Sequence, residues 1–404
     1  MKPPKILAVA SAADLSYRYG CTPAWWQLWK GLYEVGVDLI VTPYRGRPVA
    51  TPWWRTSDNP TRREGEAYAA ARALVARAKG DTLLRRGEND DVESKSDRVT
   101  RHAIMRLITP RWQKHIGQIL DRERDVDAVI FFTVPMSHFR GIPQFIRDRY
   151  DIPVVFYDGD VPFSLPEFGG TDTGFNYYHG ADPAEYDLVI CNSTGGVQRL
   201  YELGARRAEP LMWGADPEFF SPRSVEKSCD VFFYAHGDKY RRDWIETLVG
   251  RPSLALPELN FALGGEDFRA DIGQARLIGG VPFNRFADAI SAARINLNIV
   301  RRAHSSVSGS SSSRPFELAA CGAAIVSNPW NGLDQWFTLD EEVLVVANQD
   351  EAVAAYRLLL ADPGLAQAMG ARARKRVLDE HTYTHRAKQL LQLLGIPSGP
   401  LVGA

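Results

Sequence analysis

The stretch "HSSVSGSSSSRPFELAACGAAIVSN", residues 304–328, sets seven serines in nine positions, Ser305 to Ser313, directly ahead of an arginine, a proline and a glutamate. Pro315 suits the first turn of a helix, Gly322 suits the left-handed position that ends one, and "AAIVS" has the apolar run of a strand. The helix "RPFELAAC" then turns its free amides and the positive end of its dipole towards the serines, which makes an anion site. Ser311, Ser312 and Ser313 add neutral donors, and Arg314 adds a planar fork that matches phosphate. Arg301 and His304 stand at the start of the same loop. One turn into the helix, Glu317 fits two roles equally. It favours the helix dipole, or it accepts hydrogen bonds from vicinal hydroxyls such as those of a ribose. A second grip of the same kind is "HGDKYRR", residues 236–242. There Gly237 allows close backbone approach, and Arg241 and Arg242 fall in the first turn of the next helix. Three or four charge-assisted contacts of about 1.5–3 kcal/mol each are enough to hold a diphosphate.

Groups suited to acid/base work lie in the first half of the chain. His138 sits in "VPMSHFRG", Asp158 and Asp160 in "YDGDVPF", and His179 in "NYYHGAD". The first two segments follow apolar runs and His179 lies further along, and each of the four is a candidate general base or a group that orients an acceptor. Trp26 falls off the apolar stripe formed by Trp25, Leu28, Trp29 and Leu32, and Trp53-Trp54 lie in the loop-like "ATPWWRT". Such rings either stack on a sugar or aromatic acceptor or pack among themselves.

The elements that must carry these groups are short apolar runs alternating with amphipathic stretches, the pattern of an α/β fold with parallel sheets. Strands are expected at 5–11, 37–42, 127–133, 153–158 and 186–191, and again at 229–235, 259–263, 295–300, 323–327 and 342–347. The two sets are separated by "PLMWGADPEFFSPRS" (210–224), a proline- and aromatic-rich junction. Because the serine tract lies inside the second set, between a strand and a helix, it is a loop of that domain rather than a linker. Both grips then fall outside the carboxyl ends of strands, where open α/β sheets bind ligands. Residues 80–101, "GDTLLRRGENDDVESKSDRVTR", are the most polar stretch and indicate a solvated, mobile insertion.

A chain of 404 residues with 45% hydrophobic composition can bury more than one core. Its 48 basic and 49 acidic residues, net charge −1, argue against a protein built to neutralise nucleic-acid phosphates, while leaving room for a local basic patch. No run is long enough for a membrane helix, "KILAVA" follows the start directly, and the four cysteines have no metal spacing. These features point to a cytoplasmic protein whose Cys191 and Cys321 are small buried thiols.

"SSSSRPFELAACGAAIVSNPWNGLDQWF", with "EEVLVVANQDEAVAAYRLLLADPGLAQAMGARARKRVLDEHTYTHRAKQLL" after it and "YDLVICNSTGGVQRLYELGARRAEPLMWGADPEFF" before it, resembles the CgeB-type glycosyltransferases of the GT-B class, near retaining family 4. The resemblance spans about 185–390. It implies two Rossmann-like, doubly wound domains facing each other across a cleft. Residues 1–212 would bind the acceptor and 213–382 the nucleotide sugar, with a last helix in 383–404 crossing back to the first domain. By position, Glu317 matches the glutamate that binds the donor ribose. Arg314 and the serines match the loop around the diphosphate and sugar, and Gly237 with Arg241 or Arg242 the phosphate grip. One departure stands out: the family commonly carries a second glutamate eight positions earlier, and Gly309 is there instead.

The expected reaction moves a sugar from a nucleotide diphosphate sugar to a small-molecule, glycan or other hydroxyl or amine acceptor. Retention of configuration is implied by the resemblance. No metal or cofactor is expected, since no acidic pair with aspartate-x-aspartate spacing follows a strand of the second domain. Asp158-Gly-Asp160 has that spacing in the acceptor half, where it suits acceptor hydroxyls. Two other readings stay open: an epimerase or hydrolase of sugar nucleotides, and a non-catalytic sugar-nucleotide-binding protein.

Overall fold

The computed structural model describes residues 2–15, 23–78, 95–162, 164–165, 178–235, 240–266 and 268–398. Contacts divide the chain into two units, Met1–Leu211 with Ala387–Ala404, and Met212–Arg386. The first holds strands β1 (Lys5–Ala12), β2 (Asp38–Arg45), β3 (Arg55–Thr56), β4 (Ala128–Phe132), β5 (Val154–Asp158), β6 (Leu188–Cys191) and β7 (Ala208–Pro210). They form one parallel sheet in the order β3-β2-β1-β4-β5-β6-β7. The central strands are buried along their length, so they appear in the sequence as unbroken apolar runs. Helix Pro23–Glu34 buries Trp25, Leu28, Trp29 and Leu32, as their spacing predicts.

The second unit holds β8 (Cys229–Tyr234), β9 (Phe261–Gly264), β10 (Arg276–Gly279), β11 (Ala293–Asn298), β12 (Ala324–Ser327) and β13 (Leu344–Val345), parallel in the order β10-β9-β8-β11-β12-β13. In both sheets the chain winds outwards to one edge and returns beside its first strand. The switch points therefore fall between β1 and β4 and between β8 and β11. The chain enters and leaves the second unit at one place. Arg386 donates its Nε to the Trp213 carbonyl at 2.9 Å and approaches His381 Nδ1 at 2.7 Å, while Ala215 bridges to Thr382. Cys191, Cys229 and Cys321 are buried free thiols.

The solvated insertion expected at 80–101 is helical at one end. Residues 80–94 lie outside the described residues, but 95–101 open a helix that runs Lys95–Arg122. Its buried stripe, Trp112, Ile116, Ile119 and Leu120, lies wholly in its second half. Among the described residues the first half packs on the core only at its end, through Ile108, and so carries little apolar period in the sequence.

Candidate functional site

The loop after β11 is a built structure. Ser310 and Ser311 are fully buried. The Trp213 amide donates to Ser311 Oγ at 3.0 Å, and Ser310 Oγ shares a 2.6 Å hydrogen bond with His304 Nδ1. Gly309 takes φ +59°, and its amide donates to the Asn331 carbonyl at 3.2 Å. Two contacts bind this loop to the one after β8: the Arg302 amide donates to the Tyr240 carbonyl at 2.8 Å, and Arg241 Nη1 donates to the Ile299 carbonyl at 3.1 Å. The carboxyl ends of β8 and β11 are thereby locked together at the switch point.

Gly332, at φ +100°, packs directly against the backbone of Gly309. A Cβ added to Gly332 would lie 2.7 Å from both the N and the Cα of Gly309. The two glycine backbones touch, and Gly309 itself is left-handed, a conformation that L side chains adopt at a cost. Gly332→Ala is expected to lower stability by about 2–4 kcal/mol through that clash and the positive φ. Urea unfolding measures it, and an unchanged midpoint would mean that Gly332 does not clamp the loop.

Helix Ser313–Ala320 follows with Ser312 as its N-cap residue, yet the Ser312 side chain makes no capping hydrogen bond. The first amides of the helix are therefore not capped from within, which leaves the anion-binding geometry intact. Arg314 lies over the ring of Phe286, 4.2 Å from its centroid, and 5.4 Å from that of Tyr234. Its Nη1 is 3.4 Å from Glu317 Oε2. Burial pushes the Arg314 pKa down, while Glu317 and Tyr234 oppose that shift. Arg241 sits over Phe233 at 6.0 Å. Burial, and then the nearby charges of Arg301 and Arg314, push its pKa down to about 9. The same surroundings hold His304 at about 3: burial first, then Arg301 and Arg241. His304 is a neutral wall of the site.

Three guanidiniums thus converge at one switch point, with the Glu317 carboxylate beside Arg314. A cluster of that kind is costly alone and favourable around a polyanion. Arg242, by contrast, is exposed, Ser312 and Ser313 are partly exposed, and Gly237 lies outside the described residues. The stacking partners Phe286 and Tyr234 escaped the sequence reading, as did the polar seam beneath them. There Asn298 Nδ2 donates to Ser327 Oγ at 2.9 Å, and the Val300 amide donates to Asn328 Oδ1 at 3.0 Å. Asparagines alternating inside the apolar "INLNIV" were the available signal.

In the first unit the acid/base candidates separate. His138 is fully buried and shares a hydrogen bond with the Tyr44 hydroxyl; burial, then Arg101 and Arg45, push its pKa down to about 3. Asp158 is also fully buried and accepts from Ser164 Oγ, from Tyr178 Oη at 2.8 Å and from the Asp160 amide at 3.0 Å. Burial raises it to about 6 against those bonds. Neither has exposed surface, and both fasten the loops after β4 and β5. Asp160 and His179 are partly exposed. Trp26, Trp53 and Trp54 do come together, with ring centroids 5.0–6.3 Å apart, and Trp29 adds a fourth ring 5.2 Å from Trp54. Trp54 is buried and donates its Nε1 to the Val49 carbonyl at 3.1 Å, and Trp26 donates to the Ala13 carbonyl at 2.7 Å. Trp54 is a packing residue; Trp26 and Trp53 keep partly exposed edges.

Two parallel-sheet α/β units, the second with a basic switch point, are the architecture of the GT-B glycosyltransferases, and this chain has that fold. Residues 241–392 match the family described as glycosyl transferase-like. Sucrose-phosphate synthase from Thermosynechococcus elongatus superposes with a TM-score of 0.64 at 15% identity, over 97% of this chain and 98% of that one. Anabaena Alr3699/HepE in complex with UDP and glucose gives 0.61 at 10% identity, over 97% and 99%. The T4 phage BGT in complex with its UDP-glucose substrate gives 0.56 at 10%, over 97% and 100%. No curated protein is a significant match in sequence. Among the described residues no helix is long and apolar enough to cross a membrane.

Proposed function

We propose that the protein transfers a sugar from a nucleotide diphosphate sugar, a UDP-sugar first of all, to a hydroxyl or amine acceptor held by the first unit. The observation that carries this reading is the convergence of Arg241, Arg301 and Arg314 at the β8–β11 switch point. As the bond to the sugar breaks, negative charge grows on the departing diphosphate. Guanidiniums already fixed around that position stabilise the transition state more than the ground state. They also supply the positive charge that a divalent ion would otherwise bring, which supports transfer without a metal. UDP is favoured because structures of the same fold bind it, Alr3699/HepE and the T4 phage BGT among them. Retention and a CgeB-type specificity are part of the proposal and rest on the family resemblance. Of the four acid/base candidates, Asp160 and His179 keep the exposure needed to take a proton from an acceptor.

Glu317, 4% exposed and paired to Arg314, is the proposed ribose ligand. Glu317→Gln keeps the volume and an acceptor for Arg314 but removes the charge. It is expected to weaken UDP binding about tenfold, in line with a charged hydrogen bond of about 1.5–3 kcal/mol, and to lower the thermal midpoint of the empty protein, because Arg314 loses its anion. Calorimetry with UDP, GDP, ADP and dTDP sugars tests both statements. Acceptor-dependent release of the nucleotide is the expected activity. Release without an acceptor would favour a hydrolase, and binding without any release would favour a sensor.

A further inference from the structure

A cavity of about 460 Å³ opens in the first unit. Its walls come from the segments that follow β2 and β3: Arg47 on one side, and Asp58, Asn59, Arg62, Arg63 and Glu64 on the other. It therefore lies at the carboxyl edge of the sheet, where open α/β folds place ligands. The wall is rigid. Asn59 donates to the carbonyls of Tyr44 and Gly46 at 2.9 and 3.3 Å and accepts from the amide of Thr61 at 2.9 Å. Thr61 Oγ1 accepts from the buried Trp112 Nε1 at 3.1 Å, and Thr42 Oγ1 donates to the Asp58 carbonyl at 2.8 Å.

The charge of this cavity is unbalanced. Glu64 is engaged by Arg111 from the helix Lys95–Arg122. Among the described residues no side-chain partner is recorded for the guanidiniums of Arg47, Arg62 or Arg63. Three forked cations thus face one carboxylate, Asp58, in a space of small-molecule size. Arginine forks select planar or tetrahedral oxyanions, and a dianion engages two or three of them at once. An uncharged sugar would leave that charge without a counterpart.

The geometry points to a subsite for a phosphomonoester in this cavity, so that the acceptor is a soluble phosphorylated molecule and not a neutral glycan. This inference rests on the reading of the first unit as the acceptor side. Glucose 6-phosphate is the probe, titrated calorimetrically into the full chain. It is expected to bind at least tenfold tighter than glucose, to be displaced by inorganic phosphate, and to lose at least tenfold on the double substitution Arg47→Gln/Arg63→Gln, with UDP affinity unaltered. Equal binding of glucose, equal binding of glucuronate, or an unaffected double variant would overturn it. So would binding confined to phosphatidylglycerol vesicles, which would make the patch a lipid contact. A chain that binds glucose 6-phosphate in this way but no nucleotide would sink the transferase reading and leave the phosphate subsite standing.

Discussion

Arg241→Gln is expected to lower kcat/KM for transfer from a UDP-sugar by about 10²–10³-fold, the scale on which one fixed donor at developing charge acts. The same substitution is expected to leave the empty protein as stable as the parent or more so. Both effects have one cause. Arg241 donates to the Ile299 carbonyl, yet its neighbours are Arg301 and Arg314, and its pKa is pushed down to about 9 by burial and then by them. A base whose folded pKa lies below its unfolded value destabilises the fold wherever both states are charged, and the penalty fades only as pH rises above the folded value. At neutral pH the empty site therefore carries the full repulsion, and a diphosphate relieves it. Arg314→Gln separates the two effects. It removes the same kind of phosphate contact but leaves the buried Glu317 without its cation, so it is expected to lose both activity and roughly 2–3 kcal/mol of stability. Thermal melts with and without UDP, beside steady-state kinetics, check the pair. Parental kcat/KM in Arg241→Gln would remove the arginine cluster from the mechanism.

That cluster was legible in part because spacing after strands is legible. The runs "KILAVAS", "DAVIFFT", "CDVFFYA" and "INLNIV" are strands buried on both faces, and their order places the loops that follow them at switch points. The strands missed were β3, β7 and β10, which are two to four residues long; β3 and β10 are largely exposed. An exposed edge strand has no reason to be apolar, so hydrophobic pattern is silent there. Glu317, Arg314 and Arg241 were singled out by type and position alone. Their partners Phe286 and Tyr234 were not, because a stacking ring is chosen by three-dimensional packing and has no fixed offset from the cation. Gly309 shows the opposite case. In the sequence it is a missing carboxylate, whereas in the fold it takes a left-handed backbone that L side chains adopt at a cost, close against Gly332. His138 and Asp158 looked like catalytic groups because both follow strands. Their burial has no signature in the sequence.

Acidification is expected to destabilise the second unit far more than the first. His304 and His381 both lie in the second unit, both are buried, and both are held near pKa 3. For His304 the causes are burial, then Arg301 and Arg241; for His381 they are burial, then Arg386, whose guanidinium donates to its Nδ1. Their folded values lie below the unfolded value of about 6.5, so the unfolded chain binds more protons in between, and stability falls as pH drops below 6.5. At 1.36 kcal/mol per pH unit, each histidine removes about 2 kcal/mol by pH 5, so the unit loses about 4 kcal/mol. In the first unit His138 acts in the same direction, but Asp158 opposes it. Its folded value of about 6 lies above the usual carboxylate range, so the folded state takes up the proton first and gains stability on acidification. His115, lowered chiefly by burial, adds to the loss, yet the Asp158 offset keeps the first unit's decline well below that of the second. Hydrogen exchange at pH 7.5 and pH 5, corrected for intrinsic rates, resolves the two units. The expected result is a collapse of protection in β8, β11 and β12 while β1, β4 and β5 hold. Equal losses in both units would show that these histidines are not kept neutral by the fold. His381→Asn, which cannot be protonated, is expected to recover about half of the second unit's loss.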